Sequence, residues 1–236
     1  MCRRIFFIIL QKIYIVTEKI KSLFLKDKNT SKILMFHEIN GSNGCGLYSV
    51  SKDNFAKVVD YIDDNNLCSM IDCIKDNKKI VVTFDDAYES VYLYARPILK
   101  EKNIPYYIFL CNELIDTEKY LKTKQIEEMI DDGNCIVGSH LYRHKMSRFI
   151  KEENLEKMMI DSKMELENKF KINIDCFAFP YGSFYAVSKK NISIAKKYFK
   201  YIFTTIPLNY SKRYGNVFPR YNMNDNEIQK VISKNE

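Results

Sequence analysis

Tryptophan is absent from this chain and histidine occurs only three times, at positions 37, 140 and 144, so any imidazole chemistry rests on those three rings. The seven cysteines (2, 45, 68, 73, 111, 135 and 176) include no CxxC pair. An odd set of this kind, partly embedded in apolar runs, reads as reduced core cysteines and not as a disulfide framework. No internal repeat or low-complexity linker divides the 236 residues, which fit one domain with a sizeable core. The formal charge is +7, yet the lysines are scattered without a basic block, and no nucleic-acid partner is expected.

A long hydrophobic run is missing as well. The chain starts like a signal peptide, basic and then apolar, but Gln11 and Lys12 interrupt it. The run from Ile5 to Leu10 is far short of the ~18–20 residues that span a bilayer, and no small-residue cleavage site follows. Residues 1–31 are therefore expected to form an amphipathic helix, lying at a membrane surface or packed on the rest of the chain, with residues 32–236 as the main domain.

What the chain does have is alternation. Short β-rich runs at 33–37, 80–84, 105–111, 135–139, 176–181, 201–205 and 216–220 are separated by helical patterns. Most runs are apolar on both faces, as parallel strands covered by helices are. Phe55, Val58, Val59 and Ile62 share one helical face; so do Val91, Tyr94, Ala95 and Ile98, and so do Leu155, Met158, Met159, Ser162 and Leu166. This predicts an α/β domain of about seven parallel strands, either an open doubly wound sheet or a barrel, with functional groups at the carboxyl ends of the strands.

All three histidines fall at or just beyond expected strand ends. Asp85 and Asp86 directly follow the buried run 80–84, whereas Asp63–Asp64 and Asp131–Asp132 end helical patterns and read as solvated turns. The Asp85–Asp86 pair could instead cap a helix beginning near Tyr88. His140 and His144, spaced HxxxH after Gly138–Ser139, place both imidazoles on one side of a helix or tight turn, although two packing histidines would show the same spacing. Two imidazoles and one carboxylate make a three-ligand site with positions open to water and substrate, and the second aspartate stays available as a base. A carboxylate beside a metal-activated water points to hydrolysis of a carbonyl compound.

Four segments carry a resemblance: Thr83-Phe84-Asp85-Asp86-Ala87, His140-Leu141-Tyr142-Arg143-His144, Phe177-Ala178-Phe179-Pro180-Tyr181-Gly182, and Ile33 to His37. In order and type they resemble the polysaccharide deacetylase family, carbohydrate esterase family four, over residues 33 to 222 or so, and within it the exopolysaccharide N-deacetylase subgroup. The resemblance implies a distorted (β/α) barrel. It implies Asp85 as catalytic base, and Asp86, His140 and His144 as ligands of one divalent metal, with Zn first and Co, Ni or Fe as alternatives. The backbone N–H of Tyr181 is implied to stabilise an oxyanion. Leu141 stands where the family usually has a hydroxyl residue, and no histidine follows residue 144, where most members have a late general acid. His37 is implied to serve as the acid, as an early histidine does in the subgroup.

Many family members hold the base with an arginine where this chain has Ala178; Arg220 is the candidate replacement, the alternative being a pair with a structural carboxylate. The reaction implied is removal of the N-acetyl group of an amino sugar in an oligosaccharide, polysaccharide or precursor. N-formyl or O-acetyl sugars are the other substrates to consider, and glycan binding without turnover the other activity. No protein partner is implied. The reduced cysteines and the N-terminal helix favour the cytoplasmic face of a membrane, with secretion or anchoring outside as the alternative.

Overall fold

The computed structural model describes residues 2–24, 30–40, 48–71, 74 and 79–232. Its strands are β1 (Lys32–Phe36), β2 (Glu38–Asn40), β3 (Ser49–Ser51), β4 (Ile80–Phe84), β5 (Tyr106–Leu110), β6 (Cys135–Ser139), β7 (Cys176–Ala178), β8 (Tyr201–Phe203), β9 (Val217–Phe218) and β10 (Tyr221–Asn222). The helices are α1 (Cys2–Phe24), α2 (Lys52–Asp64), α3 (Arg96–Glu101), α4 (Thr123–Asp131), α5 (Glu152–Phe170), α6 (Lys189–Ala195) and α7 (Asp225–Ile232).

Eight strands form one parallel sheet in the order β10-β1-β4-β5-β6-β7-β8-β9, and β2 pairs with β3 beside it. The two ends of that order, β9 and β10, are separated in the chain only by Pro219 and Arg220. Three residue steps reach at most about 11 Å, so the sheet edges meet at this point and the sheet is curled into a distorted barrel. The expected single strand at 216–220 is therefore two strands. Proline has no N–H to donate to a ladder, and the break falls at Pro219. Strand β7 likewise stops at Ala178, short of the expected 181, because Pro180 enters a turn.

Alternation along the strands divides the core in two. Leu34, Phe36, Val82, Phe84, Tyr106, Ile108 and Leu110 pack with Phe55, Val59, Leu155 and Met159 of the surrounding helices. Their neighbours Ile33, Val81, Tyr107 and Phe109 face the other way and pack with Cys176, Ala178, Phe203 and Phe218 inside the curl. Both faces are thus apolar, as the sequence pattern requires.

Two local readings are corrected. The expected helical face Val91, Tyr94, Ala95, Ile98 is shifted because Val91–Ala95 is wound as a π-helix, with the Arg96 N–H bonded to the Val91 carbonyl. The wider turn brings Leu99 fully into the core alongside Val91 and Ala95, while Tyr94 and Ile98 pack against it half-buried. Asp132 is not a solvated turn residue: its side chain is 5% exposed and held by Arg96 and Lys100 at 2.6 Å each. Cys111 and Cys176 are buried, Cys68 and Cys135 are half-buried, and none of the four is in a disulfide. Cys45 and Cys73 lie outside the described residues.

Candidate active site

The two-residue period that turns Val81 inward along β4 continues through Thr83 to Asp85. The Asp85 N–H still bonds the Phe36 carbonyl at 2.9 Å, so the pairing with β1 extends one residue past the strand and fixes the carboxylate's direction. That carboxylate meets Arg220. Nη1 donates to Oδ1 at 2.6 Å and Nη2 to Oδ2 at 2.7 Å, while Nη1 also reaches Thr83 Oγ1 at 3.1 Å and Nε reaches the Thr204 carbonyl at 3.2 Å. The guanidinium lies over the rings of Phe109 and Phe203, at 5.2 and 5.7 Å from their centroids. Both partners are buried. Burial by itself raises the Asp85 pKa, but the Arg220 charge outweighs it and the carboxyl is held below its ordinary range.

After Asp85 the backbone reverses. Asp86 and Ala87 both have positive φ, +67° and +61°, a left-handed pair that costs roughly 1–2 kcal/mol per residue. This reversal lets two sequence neighbours, which would point to opposite faces of a strand, open into one cavity. It is not a helix cap, since Asp85 is committed to Arg220.

At the end of β6 the His140 N–H bonds the Leu110 carbonyl at 2.7 Å, and its Nδ1 lies 2.9 Å from the Ala178 carbonyl. A carbonyl only accepts, so Nδ1 carries the hydrogen and Nε2 of the neutral ring keeps its lone pair. The next residues are an irregular loop and not a helix, with the buried Leu141 at φ +68° reversing the chain. His144 returns on the same side, its backbone N–H held by Glu113 Oε1 at 3.2 Å. Asp86 Oδ1 stands 3.4 Å from His140 Nε2 and 3.2 Å from His144 Nε2. Burial opposes ionisation of Asp86, yet the two histidines hold its pKa below the usual range; Asp86 in turn lifts that of His144 against burial.

These three residues fit a divalent metal ion. Asp86 Oδ1 is buried without a hydrogen-bond partner, and His140 Nε2 faces it as a second acceptor, an arrangement that a shared cation resolves. Tetrahedral ligands about 2.1 Å from an ion lie about 3.4 Å from one another, close to the separations here. Among the described residues this is the one group of three such ligands with mutually close donor atoms.

His37 follows β1 and lies in the same cavity, its buried Nδ1 without a partner and its ring 5.0 Å from that of Tyr48. Burial lowers its pKa, against the pull of Asp85 and Asp86. Tyr181 sits at φ +62° in the turn Phe179-Pro180-Tyr181-Gly182, closed by the Gly182 N–H on the Phe179 carbonyl at 3.1 Å. The turn's own bond does not use the Tyr181 N–H. The Tyr181 ring packs 4.6 Å from that of His144.

His37, Asp85, Asp86, His140, His144 and Tyr181 thus line one cavity of about 270 Å³, and Arg220 supports it from behind Asp85. A wider groove of about 630 Å³ over Arg143, Phe149 and Asn154 contains none of Asp86, His140 and His144. The sequence reading missed Tyr48, Tyr88, Thr205 and Asn222, which also line the cavity. Only Tyr88 carried a signal, its place two residues after Asp86; Thr205, whose hydroxyl donates to the Tyr181 carbonyl at 2.9 Å, carried none.

The family model for polysaccharide deacetylase matches residues 74–198. The chain belongs to the polysaccharide deacetylase family. The match includes Asp85, Asp86, His140, His144 and Tyr181, while His37 and Arg220 lie outside it, one on each side. The Bacillus subtilis protein YxkH, which is named as a polysaccharide deacetylase, is 26% identical over 175 residues, 69% of this chain; the chain spans 61% of that relative's length. A polysaccharide deacetylase from Bacillus cereus superposes with a TM-score of 0.74 at 26% identity, covering 86% of this deacetylase-family chain and 69% of its own. IcaB from Ammonifex degensii shares the fold, with a TM-score of 0.76, 22% identity, and coverage of 87% and 96%.

Proposed function

We propose that this member of the family removes the N-acetyl group of an amino sugar in a glycan or glycan precursor, with Asp85 as base and His37 as acid. The observation that carries the proposal is that Asp85, His37 and the Asp86–His140–His144 trio open into one cavity. A divalent ion held by the trio, Zn or a similar borderline metal, would polarise the acyl carbonyl and acidify a water.

The chain's own groups supply the rest. Arg220 takes one lone pair of each Asp85 oxygen, leaving the others to accept a proton from the attacking water. Pairing keeps Asp85 ionised, and its fixed position makes proton transfer directional. The Tyr181 N–H donates to the oxygen that becomes negative as the carbonyl carbon turns tetrahedral. His37 protonates the departing sugar nitrogen; the burial that lowers its pKa makes its protonated form a stronger acid. The Ala178 carbonyl orients the His140 ring, and Glu113 holds the His144 backbone.

The test is acetate release from N-acetylglucosamine oligomers and from a single activated N-acetylamino sugar, using protein stripped of metal and then given Zn or Co. Release that returns with metal supports the reading. Formate release from an N-formyl sugar, or acetate release only from an O-acetyl ester, would reassign the acyl group. No release from any of them with one metal bound per chain would sink the proposal.

A further inference from the structure

Helix α1 is docked by the face opposite to its apolar one. Phe7, Gln11, Tyr14 and Glu18 recur at i, i+4, i+7 and i+11 and make the contacts to the barrel. Arg148 lies 4.4 Å over the Phe7 ring, Tyr14 packs 4.9 Å from Phe184, Gln11 Oε1 accepts the Phe184 N–H at 3.0 Å, and Glu18 pairs with Arg213 at 3.3 Å and Tyr214 at 3.1 Å. Ile9, Ile13, Val16 and Ile20 recur with the same spacing two residues out of phase, about 200° around the helix. They are exposed by 46% to 54%, and Ile5 and Phe6 join them. A surface helix ordinarily buries its apolar stripe and shows its polar one to water; α1 does the reverse.

We propose that this outward stripe is a docking surface for a lipid bilayer carrying anionic headgroups. Charge decides between a bilayer and a second copy of the chain. The helix holds Arg3, Arg4, Lys12, Lys19 and Lys21 against a single acid, Glu18, and that acid is taken up by Arg213, Tyr214 and Lys21. Lys12 and Lys19, seven residues apart, run along one border of the stripe, where long side chains reach headgroups while the isoleucines enter the acyl boundary. Two copies packed stripe to stripe would bring Lys12 and Lys19 of one against the same two lysines of the other. The helix lies on the surface and does not cross it, since no described helix is long and apolar enough to span a membrane. The segment beneath it, Phe184 and Tyr185, follows Tyr181 of the catalytic cavity by three and four residues, so docking would hold the cavity close to the lipid surface.

The test is co-sedimentation of the full chain with phosphatidylcholine vesicles, with and without phosphatidylglycerol. The expected result is binding at least about tenfold tighter when phosphatidylglycerol is present, weakened by salt. Ile9→Glu with Val16→Glu abolishes it, and Lys12→Glu with Lys19→Glu lowers it by about tenfold or more. These side chains are exposed, so the unfolding midpoint and acetate release from a soluble sugar stay unchanged. Vesicle binding is read without substrate, which separates its outcome from that of the metal site. Wild-type chain that ignores both vesicles, or variants that bind like wild type, overturn the proposal. So does a solution dimer that Ile9→Glu with Val16→Glu dissociates, which would assign the face to a second copy.

Discussion

Arg220 grips Asp85 through two parallel hydrogen bonds of 2.6 and 2.7 Å, although the two residues are 135 positions apart in the chain. The grip depends on barrel closure. Arg220 occupies the two-residue link between β9 and β10, the point at which the sheet edges meet, and closure brings it under the end of β4. The pair is sealed by Phe109 and Phe203, and Arg220 donates further from Nη1 to Thr83 Oγ1 and from Nε to the Thr204 carbonyl. The partner of Asp85 thus comes from the far edge of the sheet, and Ala178 on β7 contributes no charge to it.

Removing that arginine leaves a buried carboxylate without its partner. Arg220→Met is expected to cost about 3–5 kcal/mol in urea denaturation. Arg220→Lys retains the charge but not the planar fork, so it is expected to fold and to lose turnover, with kcat falling more than KM rises. Wild-type stability in Arg220→Met would show that the pair contributes nothing to the fold.

The proposed roles of base and metal ligand separate by measurement. Asp85→Asn is expected to lower kcat by about 100- to 10,000-fold while metal content stays at the wild-type level. His140→Ala removes a proposed ligand whose orientation the Ala178 carbonyl fixes, and is expected to lower metal affinity by more than roughly 100-fold, since losing even an orienting partner typically costs 10- to 100-fold. Metal analysis of the two purified variants distinguishes the roles; full occupancy in His140→Ala would remove it from the ligand set.

Much of this site was legible because its parts sit in local patterns. The run 135–139 is apolar and bounded by polar residues, and it is β6 with those same limits. Thr83 to Asp86 and the HxxxH segment carry spacing that survives in one dimension. Closure was less legible: the run 216–220 reads as one strand by composition, and only the missing N–H of Pro219 hints at the break that creates β10. Sequence makes Arg220 a candidate partner for Asp85 and goes no further, because periodicity does not say which edge strands meet. The left-handed turn at Asp86 and Ala87 lacks glycine, the usual signal for positive φ, and the π-helix at Val91–Ala95 has no sequence signature.

Gly138 couples core packing to the Arg220–Asp85 pair. A Cβ there would lie 2.6 Å from two atoms of the Phe109 ring and 3.0 Å from Cys176 Cβ. The Phe109 ring is the one that supports the Arg220 guanidinium. Gly138→Ala is expected to cost about 1–3 kcal/mol by overpacking, and also to lower kcat by displacing Arg220 from Asp85. Loss of stability with an unchanged kcat in the folded fraction would show that Phe109 can move without disturbing the pair.

Asp132 provides a test of pH dependence remote from the cavity. Arg96 binds both of its oxygens, Nε to Oδ2 at 2.6 Å and Nη2 to Oδ1 at 3.2 Å, and Lys100 adds a contact at 2.6 Å. Burial pushes the Asp132 pKa up, but the hydrogen bonds from Arg96 and Lys100 prevail and the folded value lies below the ordinary one. A depressed folded pKa means stabilisation that is complete above the unfolded value, about 3.9, and is lost as pH falls through the folded value. Asp132→Asn is therefore expected to cost about 1.5–3 kcal/mol at pH 7. That difference from wild type should narrow steadily as the pH falls below about 4, because the unfolded carboxyl then takes up a proton while the folded one stays ionised, until the pH passes the lower folded value. Denaturant titrations of both proteins at pH 7 and pH 3 measure it; an undiminished gap at pH 3 would mean that the asparagine disturbs packing and that charge is not the cause.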